Sequence, residues 1–343
     1  MKVLVYFQPS RKHDNFEGAR MRKTIKGALE LANEKYTSNL YDEYDVAHFI
    51  SPEDESKLNI ALELRVPVVM SALFGEDDPA TRFLIYKNKK GKKSVSVKAK
   101  ALRMMNKSNL VLVPSESAKK LLIQNGVTSQ IEICVPGVNL TRFNFFREDE
   151  KELFYRYFRE DQNKKIVLAV GEYTNNMNGI HAFINAAKKR DDASFYYIGC
   201  ETFAANYGKC KKIIKTAPKN VHFQTILPDD IYRSLLLNAD VFMLPGYNLS
   251  GIVSLNEAMA AKCQLIVRES AVLPEFVQNE KNAYVAEYSE TLTSLCNDYL
   301  DGKLKPTINE AFEEISNHTL QDFGRQLLRI YHSLIASKEK GEQ

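Results

Sequence analysis

Short apolar runs recur along this chain, separated by stretches in which apolar positions return every third or fourth residue. Val3–Phe7 reads as a buried strand, and Ala19–Asn33 carries a helical pattern. Asp45–Ile50 and Pro67–Met70 read as short buried strands. Leu110–Pro114 is a strand, Glu116–Asn125 a helix and Ile131–Val135 a strand. The pattern restarts at Lys165–Val170, an apolar run closed by Gly171. A helix over Ile180–Arg190 follows, then strands at Phe195–Ile198 and Val221–Phe223. Asp230–Asn238 opens with acids, as helix dipoles favour. Next come the strand Val241–Leu244, a Pro245-Gly246 turn and a loop with Ser250-Gly251. An Ala-rich helix bearing Glu257, the strand Gln264–Arg268 and a loop ending in Leu273-Pro274-Glu275 complete the run. Helices over Glu290–Tyr299 and His318–Ala336 close the chain.

Strands alternating with helices at this spacing predict parallel sheets, and the restart near residue 165 predicts two of them. The expected architecture is α/β, with a first domain over 1–150, a second over 151–316, and a helix in 317–343 that returns to the first. Loops at the carboxyl ends of parallel strands, followed by helix N-termini, are where such sheets take phosphorylated ligands. That places Gly171, Ser250 and Gly251 among the candidate binding residues.

Composition narrows the class. Apolar residues make up 44% and charged residues 26%, a balance expected of a soluble globular protein. No apolar run is long enough to span a bilayer, and the N-terminus reads as a strand, not a signal peptide. Five scattered cysteines without CxxC spacing predict reduced cytoplasmic thiols and no zinc site. The net charge of +4 is unevenly placed. Residues 1–150 hold 24 basic and 19 acidic side chains, and the rest 23 and 24. Residues 82–107 hold ten basic side chains and no acid, among them Lys87, Lys89, Lys90, Lys92 and Lys93. A basic segment interleaved with apolar residues fits an anionic membrane surface. A solvated charged loop is the plain alternative. A nucleic-acid patch is a third reading, disfavoured because no recognition helix or aromatic platform accompanies it.

Two facing Rossmann-like sheets with a cleft between them form the GT-B architecture. The chain resembles the retaining GT-B glycosyltransferases of the family 4 type that use nucleotide sugars. The resemblance rests on GAR at 18–20, VPSESAKKLL at 113–122, VPGVNLTRF at 135–143, the strand and glycine at 166–171, EAMA at 257–260, LPEFV at 273–277 and the final LLRIYHSLI. Among subgroups it is most similar to short bacterial enzymes that glycosylate glycosyl-diacylglycerols.

The resemblance implies roles. Glu257 would bind the nucleotide ribose; the plain alternative is an acid stabilised by its helix dipole. Glu275 would meet the donor sugar; the alternative is a solvated acid after a turn proline. Gly18 and Arg20 would face the diphosphate, although Gly18 also suits any loop before a helix. The family pattern is broken at several points. Its first acidic partner of Glu257 is replaced by Leu249. The basic pair expected after the second domain's first strand reads Glu172 and Asn178, so Asn178 could donate a hydrogen bond but no charge. The histidine expected after the fourth strand is replaced by Ser71 or Leu73, and His48 reads as a packed residue. Asp77-Asp78 and Asp229-Asp230 fit caps better than a metal motif. No metal or cofactor is expected.

The expected function is transfer of a hexose from a nucleotide sugar, in all expectation UDP-linked, to a lipid-linked or other carbohydrate acceptor. The mechanism would retain configuration and need no metal, at the inner face of a membrane and without nucleic acid. The competing reading is a catalytically silent GT-B protein acting as a partner or lipid-binding subunit.

Overall fold

In the first half of this computed structural model the sequence KVLVY forms β1 (Lys2–Tyr6), and α1 (Phe16–Leu31) follows it. The structure describes residues 1–7, 16–72, 81–85, 93–171, 177–188, 190–199, 207–225, 227–246 and 251–341, with backbone alone at 16, 81–85, 93–95, 177–178 and 207–210. The first half continues through β2 (Lys35–Thr37), β3 (Val46–Phe49), α2 (Glu55–Glu63), β4 (Val68–Ser71), β5 (Thr81–Ile85) and β6 (Lys93–Val97). Then come α3 (Ala99–Lys107), β7 (Leu110–Val113), α4 (Glu116–Gln124) and β8 (Gln130–Ile133). The sheet order is β2-β1-β3-β4-β7-β8, all parallel, with Val3 opposite Val46.

Short helices α5 (Leu140–Asn144), α6 (Glu148–Lys151) and α7 (Leu153–Phe158) lead to the second half. It contains β9 (Lys165–Val170), α8 (Met177–Ala187), β10 (Ala193–Ile198), α9 (Tyr207–Lys215), β11 (Val221–Gln224), α10 (Asp229–Asn238) and β12 (Val241–Leu244). There follow α11 (Ile252–Ala260), β13 (Gln264–Arg268), β14 (Tyr284–Ala286), α12 (Ser289–Leu300), α13 (Ile308–Ile315) and α14 (Leu320–Glu339). The sheet order is β11-β10-β9-β12-β13-β14, again parallel. Central strands such as β9 are buried on both faces, which is why they read as unbroken apolar runs. Strand order reverses between β1 and β3, and between β9 and β12. These two crevices are where doubly wound sheets hold ligands.

The two expected sheets are present, but the basic segment 82–107 is not one amphipathic stretch. Its first part pairs as the antiparallel hairpin β5–β6, and its end is α3. Charge density hid the strands from the sequence reading. Lys100 donates to the Glu53 carbonyl, while Arg103 and Lys107 both reach Glu55 at the start of α2. These three cations tie α3 to the start of α2 while remaining exposed. Lys87, Lys89, Lys90 and Lys92 lie outside the described residues, and Lys93 is described by its backbone in β6.

The sheets share one apolar core. Val3 and Ile25 from the first half and Phe154, Leu235 and Leu255 from the second belong to a single buried cluster. The terminal helix α14 does cross back. It packs on α1, and a Cβ at its Gly324 would lie 3.0 Å from the Ala28 carbonyl, so glycine sets this close helix approach. A buried polar chain fixes the same helix to the sheet. Tyr331 Oη lies 2.6 Å from His48 Nδ1, and His48 Nε2 lies 2.7 Å from Ser71 Oγ. Burial pushes the His48 pKa down to about 3, so the ring is neutral and structural. This agrees with the packed role read for His48.

The linker meets α14 through Val138, whose N–H donates to the His318 carbonyl and whose carbonyl accepts from Leu320. A Cβ at Gly137 would overlap the Thr319 carbonyl and lie 2.8 Å from Phe323 Cβ. Gly137→Ala should therefore cost about 3 kcal/mol, the upper end of ordinary overpacking. Urea denaturation measures it, and a change below about 0.5 kcal/mol would show that the linker yields freely.

Candidate functional site

The strand β12 stops at Pro245-Gly246, and α11 starts after Gly251. Gly251 is the N-cap and offers no side chain, so the first amides of α11 need another acceptor. Glu17, in the first turn of α1, supplies it from the other half of the chain. Its carboxylate accepts from Val253 N at 2.6 Å, Ser254 N at 3.0 Å and Ser254 Oγ at 2.5 Å. Burial pushes the Glu17 pKa up to about 7; the Ser254 bonds and Arg20 pull against it, and Glu257 adds to the rise.

One helical turn further on both helices, Arg20 forms an ion pair with Glu257 Oε1. Its guanidinium also lies over the Tyr232 ring, 4.2 Å from the centroid. Glu257 Oε2 is buried and has no hydrogen-bond partner among the described residues. A buried carboxylate oxygen in that condition takes its donor from an ordered water or a ligand.

The second domain returns an acid across the cleft. Glu275 accepts from Ser117 N at 2.6 Å, Ser117 Oγ at 2.5 Å and Glu116 N at 3.3 Å, at the N-terminus of α4. Partial burial pushes its pKa up, but these bonds outweigh that and hold it below the ordinary carboxylate value. Each domain thus caps a helix of the other.

A cavity of about 550 Å³ opens beside α1, a size that suits a small-molecule ligand. Arg20, Arg22, Lys23, Lys26, Arg142 and Glu257 all line it. Lys23 and Arg142 share Asp229, at 2.6 and 2.7 Å. Burial would raise the Asp229 pKa, yet the Arg142 and Lys23 contacts hold it well below the ordinary value. Asp229 is thus a pin between α1, the linker and α10, whereas capping was the expectation. Lys26 is held below the ordinary lysine value by partial burial and by Arg22 beside it. A wall with this many cations and few acids suits a phosphorylated ligand.

Arg20 and Glu257 are therefore brought together, with Gly251 at the N-cap of the helix that carries Glu257. Gly18 is buried within α1. Gly171 follows β9 with φ of 125°, which favours glycine, and its carbonyl would lie 2.9 Å from a Cβ on Gly199, where glycine avoids the overlap. Asn178 is described by its backbone, in the first turn of α8. Ser250, Leu249, Glu172 and Leu73 lie outside the described residues. Sequence reading missed Glu17, Tyr232, Ser254, Ser117 and Arg142. Glu17 carried one usable signal, an acid one turn before Arg20, but first-turn acids are commonplace. Among the described residues no three His, Cys, Asp or Glu side chains gather as a metal ion requires. No described helix is long and apolar enough to cross a membrane.

Residues 164–300 match the family described as Glycosyl transferases group 1. The chain is 22% identical, over 98% of its length and 100% of the relative, to the processive diacylglycerol alpha-glucosyltransferase of Acholeplasma laidlawii. It is 25% identical, over 43% of its length and 40% of the relative, to the alpha-galactosylglucosyldiacylglycerol synthase of Streptococcus pneumoniae. Among solved structures, Anabaena Alr3699/HepE in complex with UDP-glucose superposes with a TM-score of 0.71 at 15% identity, covering 97% of this chain and 100% of the other. Sucrose-phosphate synthase from Thermosynechococcus elongatus superposes with a TM-score of 0.64 at 15% identity, covering 96% and 81%. The fold is thus the GT-B fold over essentially the whole chain.

Proposed function

We propose, on the premise that this chain is a glycosyltransferase with a group 1 domain at residues 164–300, that it transfers a hexose from a UDP-sugar to a glycosyl-diacylglycerol-type acceptor. The names of the two relatives support the acceptor class, and the UDP-glucose held by the Anabaena protein supports the donor. Transfer would retain anomeric configuration and use no metal. The observation that carries the reading is the buried, unpartnered Glu257 Oε2 at the edge of a basic cavity. A ribose hydroxyl would supply the donor that oxygen lacks. Arg20, with Arg22 and Lys26 behind it, supplies positive charge that Glu172 and Asn178 do not. Gly18 would let the start of α1 approach the diphosphate, and Gly171, Asn178, Ser250 and Gly251 would frame the nucleotide. Glu275 would turn from α4 to the sugar when the cleft opens to admit it. The cations Lys87, Lys89, Lys90, Lys92 and Lys93 would hold the protein against an anionic leaflet from the cytoplasmic side, roughly 1 kcal/mol each.

Such catalysis is positioning and charge stabilisation, so binding and turnover are both informative. Incubation with UDP-glucose or UDP-galactose and glucosyl-diacylglycerol vesicles should yield a longer glycolipid. Glu257→Gln should weaken UDP binding by about 10- to 100-fold, the value of a hydrogen bond to a charged group. Absence of transfer, of donor hydrolysis and of any UDP-induced thermal shift would refute the reading. The exchange of Glu17 and Glu275 between domains favours one second reading, a silent GT-B subunit locked shut. That protein would keep its biological effect in the Glu257→Gln variant.

A further inference from the structure

Two backbone N–H groups and one hydroxyl converge at the start of α11, at the crevice where the order of the second sheet reverses. Donors in this arrangement hold phosphate oxygens in many folds. Here the first domain's own carboxylate already fills the place. We propose that Glu17 is a built-in competitor of the donor's phosphate: the empty protein seats this carboxylate on α11, and the nucleotide sugar must displace it to bind. The proposal rests on the reading that the nucleotide lies beside Glu257, and it adds how that same site is regulated.

Several observations converge on it. Glu17 is 5% exposed, and its bonds to Val253 and Ser254 all cross the domain boundary, so it is a fitted occupant and not a stray surface acid. The two amides and the hydroxyl that a phosphate would use already hold Glu17, so a phosphate and this carboxylate cannot share them. Arg20 sits three positions on along α1 and holds Glu257 Oε1. Any shift of α1 that withdraws Glu17 therefore also loosens Arg20 from Glu257, and one movement exposes both the phosphate place and the ribose acceptor. On the far side, Glu275 on α4 closes the cleft in the opposite sense.

Charge sets a pH dependence. The groups facing Glu17 are Arg20 on α1, Glu257 and Ser254 on α11, and Tyr232 on α10. Seated, Glu17 has its pKa pushed by burial up to about 7; displaced into water it returns toward its ordinary 4.5. Displacement between pH 4.5 and 7 therefore releases a proton. Nucleotide affinity should rise with pH between 4.5 and 7 and level off above.

Calorimetric titration of UDP into the full chain tests this, using wild type, Glu17→Ala and Glu17→Gln at about pH 5.5 and about pH 7.5. Melting followed by circular dichroism checks that each protein is folded. Glu17→Ala should bind UDP roughly tenfold more tightly at the higher pH, and the advantage should grow roughly another tenfold at the lower pH. Ionisation of UDP itself affects all three proteins alike and cancels in these ratios. Glu17→Gln keeps the shape of the cap and should lose the pH-dependent part, which keeps the test decisive should the alanine protein not fold. Equal affinities with parallel pH profiles in folded proteins would overturn the competitor alone. No UDP binding by any of the three would overturn the donor-site reading, and the competitor with it.

Discussion

Arg20→Met should destabilise the protein by about 3–5 kcal/mol, the usual cost of stranding one partner of a buried ion pair. Arg20 and Glu257 side chains are only 10% and 11% exposed, so the carboxylate left behind would be poorly hydrated. Glu17 would lose its nearest cation too, leaving two acids close together in a dry seam. The guanidinium also covers the Tyr232 ring, and methionine would restore only part of that packing. Adding Glu257→Gln to Arg20→Met should recover much of the loss, because the amide removes the stranded charge. Urea denaturation of the single and double variants gives the coupling. A single-variant loss below about 1 kcal/mol, as an exposed pair would give, would show that the seam is wet.

The second large effect concerns pH and is hidden in the wild type. Glu17 has a folded pKa of about 7 against an ordinary 4.5, so folding takes up its proton more tightly. Its contribution to stability is complete below pH 4.5 and is lost as pH rises to 7. His48 has a folded pKa of about 3 against an ordinary 6.5, so the unfolded chain holds that proton more tightly. Its contribution is complete above pH 6.5 and is lost as pH falls toward 3. Between pH 4.5 and 6.5 the two slopes oppose, each of up to about 1.4 kcal/mol per pH unit. The contributions of this pair should nearly cancel there, leaving the shallower slopes of His222 and His318, whose pKa values burial also lowers. Glu17→Gln should uncover the histidine slope, a loss of about 2–3 kcal/mol across that window as the solution is acidified. His48→Gln should show the reverse tilt. Parallel profiles for wild type and Glu17→Gln would mean that the carboxylate is not held uncharged by burial.

Much of the fold was legible in local pattern. Lys165–Val170, Val241–Leu244 and Gln264–Arg268 are strands with the bounds read from their apolar runs, because both faces of these strands are buried. The short edge strand Lys35–Thr37 and the hairpin Thr81–Ile85 with Lys93–Val97 were not legible. One is too brief to show a period, and the other is masked by its lysines. Among the candidate site residues, Gly251 was read from the succession of strand, glycine and helix, and Glu257 from the resemblance carried by its EAMA segment. Asp229 was read as a cap and proved to be a pin, since its partners Lys23 and Arg142 lie far from it in sequence.

The sequence alone determined two parallel sheets and the switch-point loop before Glu257, with no lysine or arginine from Ile166 to Ala187. Each is a property of a short window, where side-chain period and residue type are enough. Only the tertiary structure decided what Glu17 does. It stands 236 positions before the amide it caps, and a first-turn acid looks the same whether it faces water or another helix. Burial decides the difference, because it converts a routine carboxylate into a group of raised pKa that closes the cleft on itself.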